Sequence, residues 1–285
     1  MNGCPVCRGT VSPRYRLRAK TVFDCAACRI RFVDPFPDAD GLKALYADSA
    51  DEFRTKYFES FRDLRADSFA RGLKHLSLMG KAGRLLDVGT GLGFFLDQAR
   101  SAGWEAEGIE LAEESAGYAR EALGASVRIG DLNAGFLKEA SYDVVTLWDT
   151  LEHLPDPAGA LARVKALLLP GGIAVIRAPV FDSVIPGLLD KFYRISGGRF
   201  RAGLEKLFEE HLFHFSEAGV RKLIEGAGLH TVSAYREDYI DYRALGRKGW
   251  AVNPFIRFGA LFAIGISHLI GRQDEVVLYA ESSYG

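Results

Sequence analysis

The sequence predicts an α/β protein in which a mainly parallel sheet is covered by helices on both faces. Three observations lead to this fold class. Short apolar segments alternate with segments of helical periodicity from residue 84 onward, and a glycine-rich turn follows the first of them. Hydrophobic residues make up 48% of the 285 residues, which is enough for a full core.

The elements can be placed in order along the chain. Apolar residues at helical spacing predict helices over residues 39–48 and 52–80, before the alternating region begins. The predicted strands are Arg84–Val88, Ala106–Ile109, Val127–Ile129, Tyr142–Trp148, Ile173–Arg177, Leu229–Tyr235 and Glu275–Ala280. The predicted helices among them are Phe94–Ala102, Glu113–Ala122, Ala158–Leu169, Ser216–Gly226 and Pro254–Ile270.

These elements indicate three units. Residues 1–36 are rich in cysteine, arginine and turn residues, and residues 37–80 form a helical linker or cap. Residues 81–285 form the main domain, within which residues 182–215 break the alternation and predict a helical lid insertion. A chain of this length is expected to hold a main domain with appendages.

The charge of the chain excludes a strong general attraction to nucleic acid or to anionic membranes, because the net charge is only -1. The distribution is uneven, since residues 1–31 carry seven arginines and lysines against one acid, Asp24. The first residues lack the long apolar core that follows the basic start of a secretory signal. We therefore expect a cytoplasmic protein.

The turn after the first strand carries the clearest functional signal. Its glycines, Gly89, Gly91 and Gly93, let the backbone turn sharply and approach a ligand without a Cβ clash. In an open α/β sheet such a ligand lies beyond the carboxyl ends of the strands. A dinucleotide-binding domain is the main competitor, but its fingerprint is G-x-G-x-x-G, whereas this turn is G-x-G-x-G. Asp87 also suits a cationic ligand better than a pyrophosphate.

Acids end the next two strands. Glu110 ends the second strand, 21 residues after Gly89, and a carboxylate there accepts both hydrogen bonds of a ribose diol. Asp131 ends the third strand beside Leu132, where an acid and an apolar side chain suit the edge and the face of an adenine. The turn and the two acids together predict a nucleoside-binding edge.

Five segments of this region resemble the class I S-adenosylmethionine-dependent methyltransferases: LLDVGTGLGFFL (85–96), GIEL (108–111), GDL (130–132), YDVVTLWDTLEHLPDP (142–157) and LLLPGGIAVIRAP (167–179). The resemblance implies a Rossmann-like sheet of seven strands whose last strand runs antiparallel, and S-adenosylmethionine as the cofactor. It also assigns cofactor contacts to the turn and to the ends of strands two, three and four. The residues concerned are Asp87, Gly89, Thr90, Gly91, Gly93, Glu110, Leu111, Asp131, Leu132, Trp148 and Asp149.

The four cysteines of the chain form two C-x2-C pairs, Cys4 with Cys7 and Cys25 with Cys28. This spacing predicts a tetrahedral zinc site. Four protein ligands leave no open position for a substrate, so the zinc is expected to be structural. Disulfides are the competing interpretation, and a cytosolic compartment disfavours them.

The predicted zinc ribbon carries a resemblance of its own. A ribbon that runs into Cys25–Pro35 and then into a Leu-x-x-Leu-Tyr helix at Leu42–Tyr46 is similar to methyltransferases of polysaccharide, deoxysugar and natural-product pathways. Sugar C-methyltransferases of that group usually carry a further large C-terminal domain, which this sequence does not show. The resemblance covers the front two-thirds of that subfamily and does not extend to its substrate. We expect a small-molecule acceptor, such as a sugar, a nucleotide-linked sugar or a natural-product intermediate, with O-, N- and C-methylation all open.

Two Glu-His pairs are candidates for acid–base chemistry. Glu152-His153 follows strand four, and Glu210-His211 follows the insertion. A histidine accepts a proton readily near neutral pH, so His211, Glu210 and His153 are predicted to assist proton transfer. The alternative is that they only shape a loop and pack the lid. Phe208 stands where sugar C-methyltransferases have a tyrosine, which argues against C-methylation.

Two segments bear on the partners of the chain. Residues 190–206 are basic, which suits either a solvated surface or a lid that meets the phosphate of a nucleotide-linked sugar. Residues 254–271 are apolar but marginal in length and interrupted for a membrane span, so they predict a helix packed on the sheet or at a homodimer interface. A helix lying on a membrane surface, in reach of a lipid-linked acceptor, is the alternative.

Two other functions stay open from the sequence. The basic ribbon points to an RNA methyltransferase, but no basic stripe interleaved with aromatic residues continues beyond residue 31. The second is a non-catalytic cofactor-binding or scaffold protein, and intact Asp87, Glu110 and Asp131 argue against it.

Overall fold

The structure, a computed structural model, describes residues 3–36, 52–199, 201–208, 211–238 and 264–283. Three sequence predictions fall outside these ranges: the helix over 39–48, Glu210, and the part of the predicted helix Pro254–Ile270 that precedes residue 264. No helix in the described part of the chain is long and apolar enough to cross a membrane.

The described residues contain all of the predicted strands of the main domain and several elements before and between them. The strands are β1 Val11–Arg16, β2 Thr21–Cys25, β3 Ile30–Asp34, β4 Arg84–Val88, β5 Glu105–Glu110, β6 Ser126–Ile129, β7 Tyr142–Trp148, β8 Leu168–Pro179, β9 Phe213–Phe215, β10 Leu229–Glu237 and β11 Glu275–Ser282. The helices are α1 Glu52–Leu78, α2 Phe94–Ser101, α3 Glu113–Leu123, α4 Pro157–Leu167, α5 Val184–Ile195, α6 Ala202–Leu207, α7 Glu217–Gly226 and α8 264–269.

The main sheet has the strand order β10-β11-β8-β7-β4-β5-β6. Neighbours from β8 to β6 pair in parallel, whereas β11 runs antiparallel to both β8 and β10. The predicted seven-stranded sheet with an antiparallel last strand is therefore confirmed. The winding reverses at β4, because β5 and β6 extend the sheet on one side while β7 and β8 extend it on the other. A ligand crevice forms at such a point, beyond the carboxyl ends of the strands.

Helices cover both faces of the main sheet. On one face α1, α2 and α3 bury an apolar cluster that includes Leu76, Phe95 and Ala116. On the other face α4 and α7 bury residues such as Leu161 and Val220. Burial of apolar surface contributes about 25 cal/mol per Å², so these two clusters are the main stabilising contribution to the fold.

Local sequence determines where two of these helices begin. Asp156 caps α4 by accepting the N–H of Gly159 at 2.9 Å, and Pro157 occupies the first helical position. Ser216, the first residue of the predicted helix, caps α7 by accepting the N–H of Gly219 at 3.0 Å.

A second, four-stranded sheet joins the N-terminal segment to the insertion. Its order is β1-β2-β3-β9, and all of its pairings are antiparallel. β9 lies in the insertion and pairs Phe213 with Phe32 and Phe215 with Ile30, all of them buried. This sheet crosses the predicted boundary between residues 1–36 and the main domain, and the division of the chain into units stays a prediction.

The long helix α1 passes close to the end of β7. An added Cβ at Gly72 would lie 2.6 Å from Trp148 Cη2, so only a glycine fits beneath this indole. The ring of Trp148 also packs against Phe69 and Phe95, with centroid distances of 5.3 and 5.1 Å. The close-packed contact between Gly72 and Trp148 therefore positions α1 on the sheet.

We expect Gly72→Ala to lower the free energy of unfolding by about 1–3 kcal/mol, because the added methyl group overpacks against Trp148. The matched control is Gly117→Ala in α3, where an added Cβ has nothing within 4 Å. Alanine favours a helix over glycine by about 1 kcal/mol, so the control should hold or gain stability. Urea unfolding of both variants measures the difference, and equal midpoints would contradict this packing.

Candidate functional site

The turn between β4 and α2 contains three left-handed glycines with different surroundings. The φ angle is 69° at Gly89, 53° at Gly91 and 81° at Gly93, a region in which side chains are strained. An added Cβ would lie 2.8 Å from Thr150 Cγ2 at Gly89 and 2.8 Å from Ala119 Cβ at Gly93. At Gly91 nothing lies within 4 Å, so a ligand can approach the backbone closely at this position.

Backbone N–H groups orient the carboxylate of Glu110. Its Oε2 accepts the N–H of Gly91 at 2.8 Å, and its Oε1 accepts those of Leu111 and Ala112 at 2.8 and 2.9 Å. A carboxylate has roughly four acceptor positions, so at least one stays available for a ribose hydroxyl. The arrangement fits the predicted role, because the acid is fixed beside the open backbone of Gly91.

Asp87 lies at the same edge of the sheet but is only 2% exposed. Burial raises the pKa of this carboxyl to about 7, and the hydroxyl of Thr146, which donates to Oδ1 at 2.6 Å, acts in the opposite direction. A positive charge nearby would favour the ionised form. Asp87 therefore suits a cationic ligand, as its position before the first glycine predicts.

The other predicted contacts at this edge differ in exposure. Leu111 and Asp131 are exposed, Leu111 by 52%, and are accessible to a ligand. Thr90 and Leu132 are buried, so their side chains pack mainly against the protein. Ile129, exposed at the end of β6, offers an apolar surface that the sequence analysis did not single out. The cofactor contacts of these residues stay predictions.

Trp148 and Asp149 end β7 in different surroundings. The indole of Trp148 is buried beneath α1. Asp149 has a φ of 52°, a left-handed conformation that strains any residue other than glycine. Its carboxylate pairs with Arg177 and, at 2.8 Å, with Arg65 of α1. Both side chains have protein partners, and their predicted contact with the cofactor stays a prediction.

Arg65 and Arg177 belong to a buried charge network that was not predicted from the sequence. Arg177 is 1% exposed, donates to Glu237 Oε1 at 2.7 Å and lies 3.7 Å from Glu275. Burial alone lowers the pKa of Arg177, but the charges of Asp149, Glu275 and Glu237 raise it well above its usual value. Burial likewise raises the pKa of Asp149, yet the two arginines bring it below its usual value. Asp149 is therefore ionised.

One sequence signal could have revealed this network. Arg177 is a charge within the apolar run of β8, and a charge inside a central strand needs buried partners of opposite sign. Its partners Asp149, Glu237 and Glu275 belong to other elements, so their identity requires the fold.

The histidines of the two predicted Glu-His pairs converge in the structure. The rings of His153 and His211 meet edge to face with their centroids 4.8 Å apart. A carboxylate oxygen of Glu152 lies within 4.8 Å of a nitrogen of each ring, and His214 packs 5.1 Å from His211. The insertion is thus folded back onto the segment that follows β7. Glu210, the other predicted acid, lies outside the described residues.

Burial disfavours the charged forms of Glu152 and His211. Burial, followed by the charge of Asp149, raises the pKa of Glu152 well above its usual range. Burial, followed by His153, lowers the pKa of His211 to about 3, while Asp149 acts in the opposite direction. Nδ1 of His211 has no hydrogen-bond partner among the described residues. His211 is therefore a neutral ring that can accept a proton and is a weak base.

The four cysteines meet in one cluster, with every Sγ within 4.8 Å of the others. Cys4 and Cys28 lie 3.5 Å apart, and so do Cys7 and Cys25. A tetrahedral zinc with Zn–S bonds near 2.3 Å separates its sulfurs by about 3.8 Å, so this donor set fits the ion. None of the four cysteines forms a disulfide in the structure, so the structure does not support the disulfide interpretation.

Comparison with known proteins places the chain in a family. Residues 51–234, more than half of the chain, match the family described as methyltransferase domain. A ubiquinone biosynthesis O-methyltransferase of Aromatoleum aromaticum is 34% identical over 131 residues, which cover 44% of this chain and 53% of the relative. The protein of the same name from Burkholderia ambifaria is 28% identical over 181 residues, 61% of this chain and 74% of the relative. The chain thus spans about half the length of the first of these relatives.

Solved structures share the fold. A methyltransferase of Thermotoga maritima, described as a "possible histamine N-methyltransferase", has a TM-score of 0.58 at 18% identity and covers 85% of this chain and 100% of its own. The geranyl diphosphate C-methyltransferase of Streptomyces coelicolor, solved with S-adenosylhomocysteine, has a TM-score of 0.58 at 16% identity. The match covers 84% of this chain and 87% of that structure's chain. At these identities the likeness establishes the fold alone.

The family match and the architecture lead to one conclusion. The glycine turn, Asp87 and Glu110 meet where the winding of the main sheet reverses, and the last strand of that sheet runs antiparallel. The chain therefore belongs to the methyltransferase domain family and contains a domain with the class I fold of the S-adenosylmethionine-dependent methyltransferases.

Proposed function

We propose that the chain methylates a hydroxyl oxygen of a small acceptor and that this hydroxyl is phenolic. The observation that carries the proposal is the convergence of His153 with the neutral ring of His211 beside ionised Asp149, at the end of β7. This place adjoins the glycine turn, because Thr150 packs against Gly89. The relatives named O-methyltransferase support transfer to oxygen rather than to carbon or nitrogen.

The protein's own residues have two tasks in this reaction. When bound, S-adenosylmethionine supplies a methyl group that is already activated on a sulfonium. Asp87, Glu110 and the open backbone of Gly91 would hold it at the edge of the sheet. On the acceptor side, His211 takes the proton that leaves the hydroxyl as the oxygen–carbon bond forms. Alignment and the exclusion of water supply most of the acceleration in such a transfer.

The strength of the base favours a phenol. Burial lowers the pKa of His211, so proton transfer to this ring is uphill and is less so from the more acidic hydroxyl. A phenol has a pKa of about 10, as in tyrosine, whereas the hydroxyl of a sugar is a much weaker acid. The names of the relatives give no support to a sugar acceptor, which was the expectation from the ribbon.

The insertion offers less to a phosphate than its composition indicates. Arg194 pairs with Asp190 at 3.4 Å and Arg201 with Glu205 at 3.3 Å, each pair one helical turn apart. Arg14 of the ribbon donates two hydrogen bonds to Asp190. These acids offset the positive charge that a nucleotide-linked sugar or an RNA would use, so both stay the weaker alternatives.

Replacing His211 by alanine should lower turnover by about 10²–10⁴-fold, because the proton of the acceptor loses its base. The affinity for S-adenosylmethionine should be unchanged, since the ring lies at the acceptor end. The assay follows S-adenosylhomocysteine with catechol as the phenol probe and methyl glucoside as the sugar probe. His230→Ala, at an exposed histidine of β10, is the matched control. Wild-type turnover in H211A would contradict the base, and methylation of the glucoside alone would contradict the phenol.

Asp87 should make cofactor binding depend on pH. Its pKa is about 7 in the structure without ligand, and a cationic ligand favours the ionised form, so binding at lower pH releases a proton. The affinity for S-adenosylmethionine should therefore rise as the pH rises towards 7 and level off above it. Calorimetry on either side of this pKa, in two buffers of different ionisation enthalpy, measures both the affinity and the released proton.

The variant Asp87→Asn should bind weakly at every pH and lose this dependence. It should also melt at a higher temperature at alkaline pH without ligand. The folded-state pKa of Asp87 lies above the unfolded value of about 3.9, so the folded chain loses stability as the pH rises between the two values, and asparagine avoids that loss. Asp67→Asn, exposed on α1, is the control. A pH slope of the affinity that survives in D87N would argue against Asp87.

We further propose one structural zinc ion at Cys4, Cys7, Cys25 and Cys28. The cytoplasmic location that we expect from the sequence would keep these thiols reduced and available to the ion. Metal analysis of the purified chain should give about one zinc per chain, and Cys28→Ser should lose it and melt at a lower temperature, because small metal-bound sheets depend on their ion. A purified chain with two disulfides and no zinc would contradict the proposal.

A further inference from the structure

The ribbon, residues 3–36, lies outside the residues 51–234 that match the methyltransferase family. Nevertheless, it is built into the sheet that contains His214 and whose strand β9 directly follows the segment of His211. Its strand β3 pairs with β9, which contains His214 and begins two residues after His211. The family match therefore assigns no function to the ribbon. The pairing of β3 with β9 indicates that the ribbon has a structural role next to His211.

Leu212 is the point at which the ribbon meets the segment of the proposed base. The N–H of Val33 donates to the carbonyl of Leu212 at 3.1 Å, and the N–H of Leu212 donates to the carbonyl of Glu152 at 3.0 Å. Leu212 is 3% exposed, so both bonds are in the interior, where an unpaired backbone group is costly. A path of backbone hydrogen bonds therefore runs from the ribbon to Glu152, directly beside His211.

The second cysteine knuckle, residues 25–29, is clamped to the start of α7. The hydroxyl of Ser216 donates to the carbonyl of Arg29 at 2.9 Å. Gly219 approaches the same carbonyl so closely that an added Cβ would lie 2.7 Å from its oxygen. Because α7 follows β9 after a single residue, the position of this knuckle determines where β9 ends.

We propose that the metal-bound ribbon positions the acceptor site, by fixing β9 and Leu212 and thereby holding His211 against His153 and Glu152. The proposal rests on the function proposed for His211. It gives the four cysteines a role in positioning and none in the chemistry. Val33 and Gly219 are the positioning residues through which the ribbon acts.

Loss of the metal should loosen this arrangement and spare the cofactor edge. β9 has three residues, pairs along its length with β3 and has one further bridge, from Phe215 to Val180. A small cysteine-bound sheet loses its fold when the metal leaves, and β9 then loses its partner. The cofactor edge is formed by β4, β5 and β6, which share no pairing with the ribbon.

The test uses the full chain with isotope-labelled histidine rings. The chain has six histidines, so the signals of His211 and His214 can be assigned with single glutamine variants. Removing the zinc with a chelator should shift these two signals and leave that of His230 in place. Amide exchange at Val33 and Leu212 should accelerate by about tenfold or more, as for a locally opened segment. Calorimetry should give an unchanged affinity for S-adenosylmethionine.

A matched pair of glycine variants separates positioning from metal loss. Gly219→Ala drives a methyl group against the carbonyl of Arg29 and should shift the signals of His211 and His214 while zinc stays bound. Gly226→Ala, in the same helix, has nothing within 4 Å of the added Cβ and should leave them in place. Metal analysis of both variants establishes that the ion is retained.

Three results would overturn the proposal. The first is unchanged signals of His211 and His214 after zinc removal and in G219A. The second is an equal shift in G226A. The third is loss of S-adenosylmethionine affinity together with the zinc, because the ribbon would then support the whole fold and not this site. None of these measurements uses acceptor turnover, so they distinguish a failure of the positioning role from a failure of the proposed phenol methylation.

Discussion

Arg177 and the acids around it hold the acceptor end of the main sheet together. Its strand β8 lies between β7 and β11, and the guanidinium meets Asp149 at the end of the first and Glu275 on the second, while Glu237 approaches from β10. Removing one partner of such a buried pair costs about 3–5 kcal/mol, because it leaves an uncompensated charge. Arg65 shares Asp149 with Arg177, so the placement of α1 depends on the same contacts.

The network also gives two neighbouring acids different states. Asp149 lies between two arginines and keeps its charge, whereas Glu152, fully buried near that charge, is neutral. The charge of Asp149 acts to raise the pKa of His211 against the effect of burial, so it supports a proton that arrives on this ring. Two carboxyl groups in one active site commonly take different protonation states because their surroundings differ, even where the residue types are alike.

The cofactor edge could be predicted because it is local in sequence: Asp87 and Glu110 stand at fixed spacing from the glycines within one strand–helix–strand unit. On the acceptor side, His153 and His211 could be singled out by their Glu-His motifs, but the charge network could not, because Arg65 and Arg177 belong to distant elements that no local period relates. β9 could not be predicted for another reason: it has only three residues, which are too few to show the alternation of apolar and polar residues that is typical of a strand. Trp148 is predicted beside the cofactor from its place on β7, but only the fold reveals that its ring lies beneath α1.

The two ends of the site therefore differ in how they are built, and one contact joins them. The donor end is a continuous stretch of chain, while the acceptor end is closed by α1, the insertion and the ribbon over the strand ends. Thr150 lies between them: its hydroxyl donates to the carbonyl of Val88 at 3.0 Å, and its methyl group abuts Gly89. Because methyl transfer requires alignment within fractions of an ångström, this contact sets the register of the donor turn against the Asp149–His153 segment.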